Sequence, residues 1–192
     1  MERVIYLLCL GIVFVSCKKG YQDKYGPFYV VNDTTVFMEG GTGGRIDRQF
    51  EKLIENYPNI RYMEMGNCPG SNDDDALVKA AKQLHDLEIS IHLTSGSMIE
   101  SGAVDLYLAG KNRTHEEGAK IGVHAWSTST KSATEYPIDH SEHQFYIDYY
   151  KYVGWPDSLA DSLYWFIITA AGPDEMHYLS ESEIDFFQIT TD

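Results

Sequence analysis

The sequence predicts an α/β fold, with a largely parallel sheet flanked by helices. Three observations carry this. Strand-length apolar runs alternate with stretches of helical period in the order β-α-β-loop-α-β-α-β, which calls for right-handed crossovers between parallel strands. A β-branched run, Ile89-Ser-Ile-His-Leu93, is followed by a polar, Gly-containing turn and then an apolar helical run opening at Ser101. Finally, 192 residues at 43% hydrophobic and 13% aromatic suit one domain with a sizeable core.

Taken in order, Pro27 to Val31 and Thr34 to Met38 are β-rich runs split by the turn signal Asn32-Asp33, as a hairpin or as successive strands. Glu39-Gly-Gly-Thr-Gly-Gly44 reads as a flexible loop. It lacks the Gly-Lys-Ser/Thr of a phosphate loop. Arg45 to Tyr57 is an amphipathic helix with Ile46, Phe50, Leu53, Ile54 and Tyr57 on one face, ended by Pro58-Asn59. Ile60 to Met65 is a strand. Gly66 to Ser71 is a turn, and Asp73 to Leu87 a helix whose acidic start suits the positive end of its dipole. Lys120 to Val123 is a short strand that delivers His124, and Ala125 to Pro137 is a Ser/Thr-rich surface loop. His140 to Val153 and Asp157 to Ala171 are helices separated by Gly154-Trp-Pro156. The aromatic stripe of the first, Phe145 to Tyr152, reads as core or oligomer contact. Ser180 and Glu183 form a capping-box pattern for a last short helix.

Residues 1–16 read as a signal peptide, with a weakly basic start and an apolar run from Val4 to Val15 that is too short to span a bilayer. Ser16-Cys17 resembles a bacterial lipobox, in which the Cys becomes the lipidated first residue. Residues 17–26 then read as a polar tether and 27–192 as the domain. The expected location is the cell envelope, lipid-anchored on the periplasmic face of a bacterial membrane. Cys68 is the one cysteine left in the folded body, expected as a small buried residue. The formal charge of −14 argues against a nucleic-acid partner or anionic head groups and for simple solubility.

Candidate chemistry centres on Ser101 and His124. A hydroxyl at a helix N-terminus sits where backbone N–H groups favour negative charge. A histidine from a neighbouring strand is a candidate base. The run Ser101-Gly-Ala-Val-Asp-Leu-Tyr-Leu-Ala-Gly110, then Lys111-Asn-Arg113, then Ile121-Gly-Val-His124, resembles the ClpP/crotonase superfamily, including the proteolytic subunit of the Clp protease and exported bacterial relatives. Asn67-Cys-Pro-Gly-Ser71 resembles the family's Asn-Ser-Pro-Gly-Gly, with Ser71 in place of the second Gly.

The resemblance implies a ClpP/crotonase-like layered fold and a serine hydrolase, most plainly a peptidase. Ser101 would be the nucleophile and His124 the general base. Gly70 and Gly102 would supply the oxyanion hole. The family's catalytic Asp falls in register on Met176; Asp174 and Glu175 lie close to it out of register, and Asp174 is the best substitute. Glu100 stands where the family has a small residue. Implied partners are a peptide or acyl substrate, the membrane through the lipid anchor, and a homo-oligomer; no cofactor is implied. The alternative is a catalytically inactive binding or assembly lipoprotein on the same fold, holding a peptide in a cleft lined by Trp126 and Tyr136. A third reading takes His140-Ser-Glu-His143 as a metal site, since the two histidines share a helix face with Glu142 between them.

Overall fold

The computed structural model describes residues 20–191. The expected signal peptide and the lipidation residue Cys17 lie outside this range. Among the described residues eight strands form one sheet in the order β1-β2-β3-β4-β5-β7-β8, with β6 also paired to β5. They are β1 (Asp23–Tyr25), β2 (Phe28–Asn32), β3 (Thr35–Met38), β4 (Tyr62–Cys68), β5 (Ser90–Glu100), β6 (Arg113–His115), β7 (Lys120–Val123) and β8 (His177–Tyr178). The centre is parallel: β3 with β4, β4 with β5, and β5 with both β6 and β7. The edges β1-β2-β3 and β7-β8 are antiparallel. The helices are α1 (Ile46–Asn56), α2 (Asp74–Asp86), α3 (Gly102–Leu108), α4 (Ser141–Tyr152), α5 (Asp157–Ala170) and α6 (Glu181–Phe186).

Local chemistry explains most boundaries. Asn32 Oδ1 accepts the Thr34 N–H and closes the β2-β3 hairpin. Asp73 caps α2 by accepting the Ala76 N–H at 3.0 Å. Ser180 and Glu183 form the expected capping box on α6. Ile46, Phe50 and Leu53 of α1 are buried, as their spacing requires. Tyr146, Tyr149 and Tyr150 of the α4 aromatic stripe turn inward to the core, while Phe145 is half-buried and Tyr152 exposed. Cys68 is buried, and burial pushes its thiol up to about 12. Among the described residues no helix is long and apolar enough to cross a membrane.

Three elements differ from expectation. Part of the polar stretch expected as a tether is strand, because Asp23–Tyr25 pairs with β2. The turn expected after Leu93 is instead the second half of β5. The pairing with β4 jumps from Met65↔Leu93 to Asn67↔Met98, so Thr94 to Ser97 arch out of the ladder. The buried Ser97 hydroxyl then donates to Met65 O at 2.6 Å and accepts the Thr94 N–H at 2.9 Å, replacing the lost ladder bonds. The Gly-rich loop is pinned rather than free. Thr42 pairs with Ser71 as a parallel bridge, and Gly40 N–H donates to Asn67 O.

Candidate active site

The site lies at the C-terminal ends of two neighbouring parallel strands, a usual place for ligands in α/β sheets. Glu100 ends β5 opposite Gly122 of β7, and the ladder runs one step further, from Ser101 N–H to Gly122 O at 2.9 Å. His124 follows β7 directly, so hydroxyl and imidazole come to the same end of the sheet.

Ser101 occupies the N-cap position of α3 with φ +54° and ψ −132°. Two other described non-glycine residues have positive φ, Glu88 and Gln188, and both follow helix C-termini, where that conformation is common. Ser101 instead joins a strand to a helix. A side chain held there costs about 1–3 kcal/mol, and such strain clusters at functional sites. Its hydroxyl makes no capping bond. The sharp turn presents it beside the start of α3.

The loop carrying Gly70 packs against this turn. Gly70 has φ +102°, and a Cβ on it would lie 2.8 Å from Ser101 Cβ and 3.0 Å from Glu100 O. Gly102 is equally constrained: its Cβ would sit 2.7 Å from both Leu77 Cδ2 and Ser71 Cβ. Only glycine fits at either place. Ser71 is outside the positive-φ region, so it replaces a glycine without strain, and its hydroxyl accepts the Asp73 N–H at 3.0 Å to start α2.

The amide that faces the turn is one the sequence reading did not single out. Gly70 O accepts both the Thr42 N–H and the Thr42 hydroxyl, each at 2.9 Å. In a trans peptide the following N–H points the opposite way. The Ser71 N–H is therefore aimed away from Thr42, on the side where Gly102 approaches; a Cβ on Gly102 would lie 3.3 Å from Ser71 N. Among the described residues neither the Ser71 N–H nor the Gly102 N–H has a protein acceptor. Two open donors thus lie at the Ser101 turn, an arrangement able to receive a negative oxygen.

His124 is half-buried, and its Nδ1 lies 3.0 Å from Pro173 O. A carbonyl only accepts, so the neutral ring carries its proton on Nδ1 and leaves the Nε2 lone pair open. Asp174 is exposed and makes no hydrogen bond to His124; the group behind the ring is the neighbouring main-chain carbonyl. No hydrogen bond joins Ser101 to His124 among the described residues. Catalytic pairs are often long without substrate and tighten on binding. Glu100 is turned to Tyr178, whose hydroxyl donates to it at 2.5 Å.

A small cavity of about 40 Å³ adjoins Ser101, lined by Asp74, Asp105, Trp126, Tyr146, Tyr150 and Ile167 among others. Burial, reinforced by the Asp74 charge, pushes the Asp105 carboxyl up to about 7 against the lowering hydrogen bond from Tyr150 at 2.8 Å. The native state then holds a proton that the unfolded chain has released between about pH 4 and 7. Stability should fall by about 2–3 kcal/mol from pH 5 to pH 8 on this account alone. Asp105→Asn should flatten that dependence in urea denaturation at the two pH values.

The histidines at the start of α4 serve packing. His143 is buried among Trp126, Tyr164 and Trp165, with Nδ1 2.6 Å from the Tyr164 hydroxyl. His140 caps the helix by accepting the Glu142 N–H. No three His, Cys, Asp or Glu side chains converge as a metal set among the described residues. Trp126 lines the cavity and donates to Tyr164, and Tyr136 packs on it at 5.3 Å between ring centroids.

No protein-family model matches the chain, and no curated protein does. Solved structures do. A serine-to-alanine variant of the 1510-N membrane-bound stomatin-specific protease superposes with a TM-score of 0.53 at 16% identity, over 82% of this chain and 76% of that one. A peptidase from Plasmodium falciparum gives 0.51 at 10% identity, over 82% and 93%. A protein described as an enzyme gives 0.57 at 12% identity, over 82% and 93%. At these identities the likeness is one of fold alone: the chain has a mixed α/β, ClpP/crotonase-like fold.

Proposed function

We propose that the protein is a membrane-anchored serine hydrolase acting on peptide or acyl substrates, a peptidase first. The observation that carries this is Ser101, held in a strained strand-to-helix turn at which two open amides lie. Ser101 Oγ attacks the acyl carbon while His124 Nε2 takes its proton. The negative oxygen of the tetrahedral intermediate is received by the Ser71 and Gly102 N–H groups. The imidazolium, steadied by Pro173 O, then protonates the departing amine or alcohol. Water, deprotonated by the same ring, releases the acyl group from Ser101. Anchoring rests on Cys17 after Ser16 and the apolar run before it.

The test is labelling by a fluorophosphonate probe. Labelling of the wild type that Ser101→Ala abolishes supports the hydrolase. A folded wild type that takes no label favours the second reading, a non-catalytic peptide-binding lipoprotein, which the missing Ser101–His124 hydrogen bond supports. Anchoring is read separately. The full chain should incorporate radiolabelled palmitate in a bacterial host, and Cys17→Ala should not; equal incorporation by both overturns the anchor.

A further inference from the structure

We infer that Thr42 is a positioning residue for the oxyanion site, acting through the Gly70–Ser71 peptide. This rests on the hydrolase reading above. Thr42 is 2% exposed, and it lies in the Gly-rich loop, which has no other assigned role. Its hydroxyl has one hydrogen-bond partner, Gly70 O, and the Thr42 amide donates to the same oxygen. Asn72 N–H closes the bridge on Thr42 O at 3.2 Å.

A carbonyl oxygen has two lone pairs, and here one residue fills both. A single amide bond would leave the 70–71 peptide plane free to rock about it, because Gly70 imposes little conformational restraint of its own. The second donor, set at a different angle, stops that rocking. The Ser71 N–H lies on the far side of the same rigid plane, so whatever fixes the carbonyl fixes the donor. An oxyanion donor works only when it is aimed beforehand at the site of developing charge. Thr42 touches neither substrate nor reacting atoms. Its hydroxyl selects the orientation of an amide that does.

The experiment compares Thr42→Val, Thr42→Ala and Thr42→Ser in the full chain. Val keeps the shape and the backbone bond and loses only the hydroxyl; Ser restores the hydroxyl. Fluorophosphonate labelling rates and p-nitrophenyl acetate turnover are measured on samples whose far-UV circular dichroism matches the wild type. Losing an oxyanion donor outright costs about 10²–10³-fold in kcat, so loosening one should cost about 10-fold or more. Val and Ala should label about 10-fold or more slowly and lose kcat at unchanged KM, and Ser should stay within about 2-fold of wild type on that scale. Val or Ala labelling at the wild-type rate overturns the inference while the hydrolase stands. So does the unfolding of both, which would make Thr42 purely structural. A wild type that takes no Ser101-dependent label overturns the hydrolase reading, and this inference with it.

Discussion

Ser101→Ala and the double variant Ser101→Ala/His124→Ala are expected to lose hydrolysis to the same extent, by about 10⁴-fold or more in kcat. A nucleophile and its base act as one unit. Once the hydroxyl is gone, the imidazole has no proton to take, and removing it costs nothing further. His124→Ala alone should fall nearly as far, because an un-ionised hydroxyl is a weak nucleophile at neutral pH. What survives in all three is the contribution of the open amides and of substrate binding. The measurement is kcat and KM on an ester or peptide that the wild type turns over. Losses that multiply in the double variant would show that Ser101 and His124 work separately. A His124→Ala enzyme with wild-type kcat would assign the proton to another group. Asp174→Ala should be close to neutral, since Pro173 O already holds the ring.

Arg113→Met should destabilise the fold by about 3–5 kcal/mol, the loss typical of breaking a buried charged network. Arg113 is 8% exposed, and its guanidinium donates to Ile189 O at 2.7 Å, Gly110 O at 2.9 Å and Gln188 O at 3.0 Å, while lying 4.4 Å over the Trp155 ring. Burial lowers its pKa to about 10, so it stays charged at neutral pH, solvated by carbonyl dipoles and the ring face. Each charge-assisted bond is worth about 1.5–3 kcal/mol, and their loss leaves two buried carbonyls and one half-buried carbonyl without a donor. Arg113→Lys keeps the charge but cannot donate in three fixed directions, and should still lose about 2 kcal/mol. Urea denaturation reads both; a loss below about 1 kcal/mol for Met would mean the carbonyls find water. The consequence reaches the site, because Gly110 closes the segment that α3 opens at Ser101.

Much of the architecture was legible in the chain because its signals are local. The α1 face, the Asp73 cap, the Asn32 turn and the Ser180–Glu183 box each involve residues within one or two turns of each other, so pattern alone locates them. Polar stretches were read less well. Thr94 to Glu100 looks like a turn because its hydroxyls suggest solvent, yet Ser97 finds Met65 O thirty-two residues away. Asp23–Tyr25 looks like linker, yet β2 offers it a free edge.

At the site the division follows the same physics. Ser101 and His124 stood out by residue type and position, the family resemblance added Gly70 and Gly102, and the fold brings all four to one end of the sheet. Two groups could not be named that way. The partner of His124 is the carbonyl of Pro173, and the amide aimed at the turn belongs to Ser71; both are main-chain groups whose direction is set by segments distant in the chain. The sequence by itself determined which elements form and which side chains stand at their ends, since propensity, capping and periodicity act over a few residues. The tertiary structure alone decided where backbone donors and acceptors point, because the direction of a peptide plane depends on its hydrogen-bond partner, and for Gly70 that partner lies twenty-eight residues away.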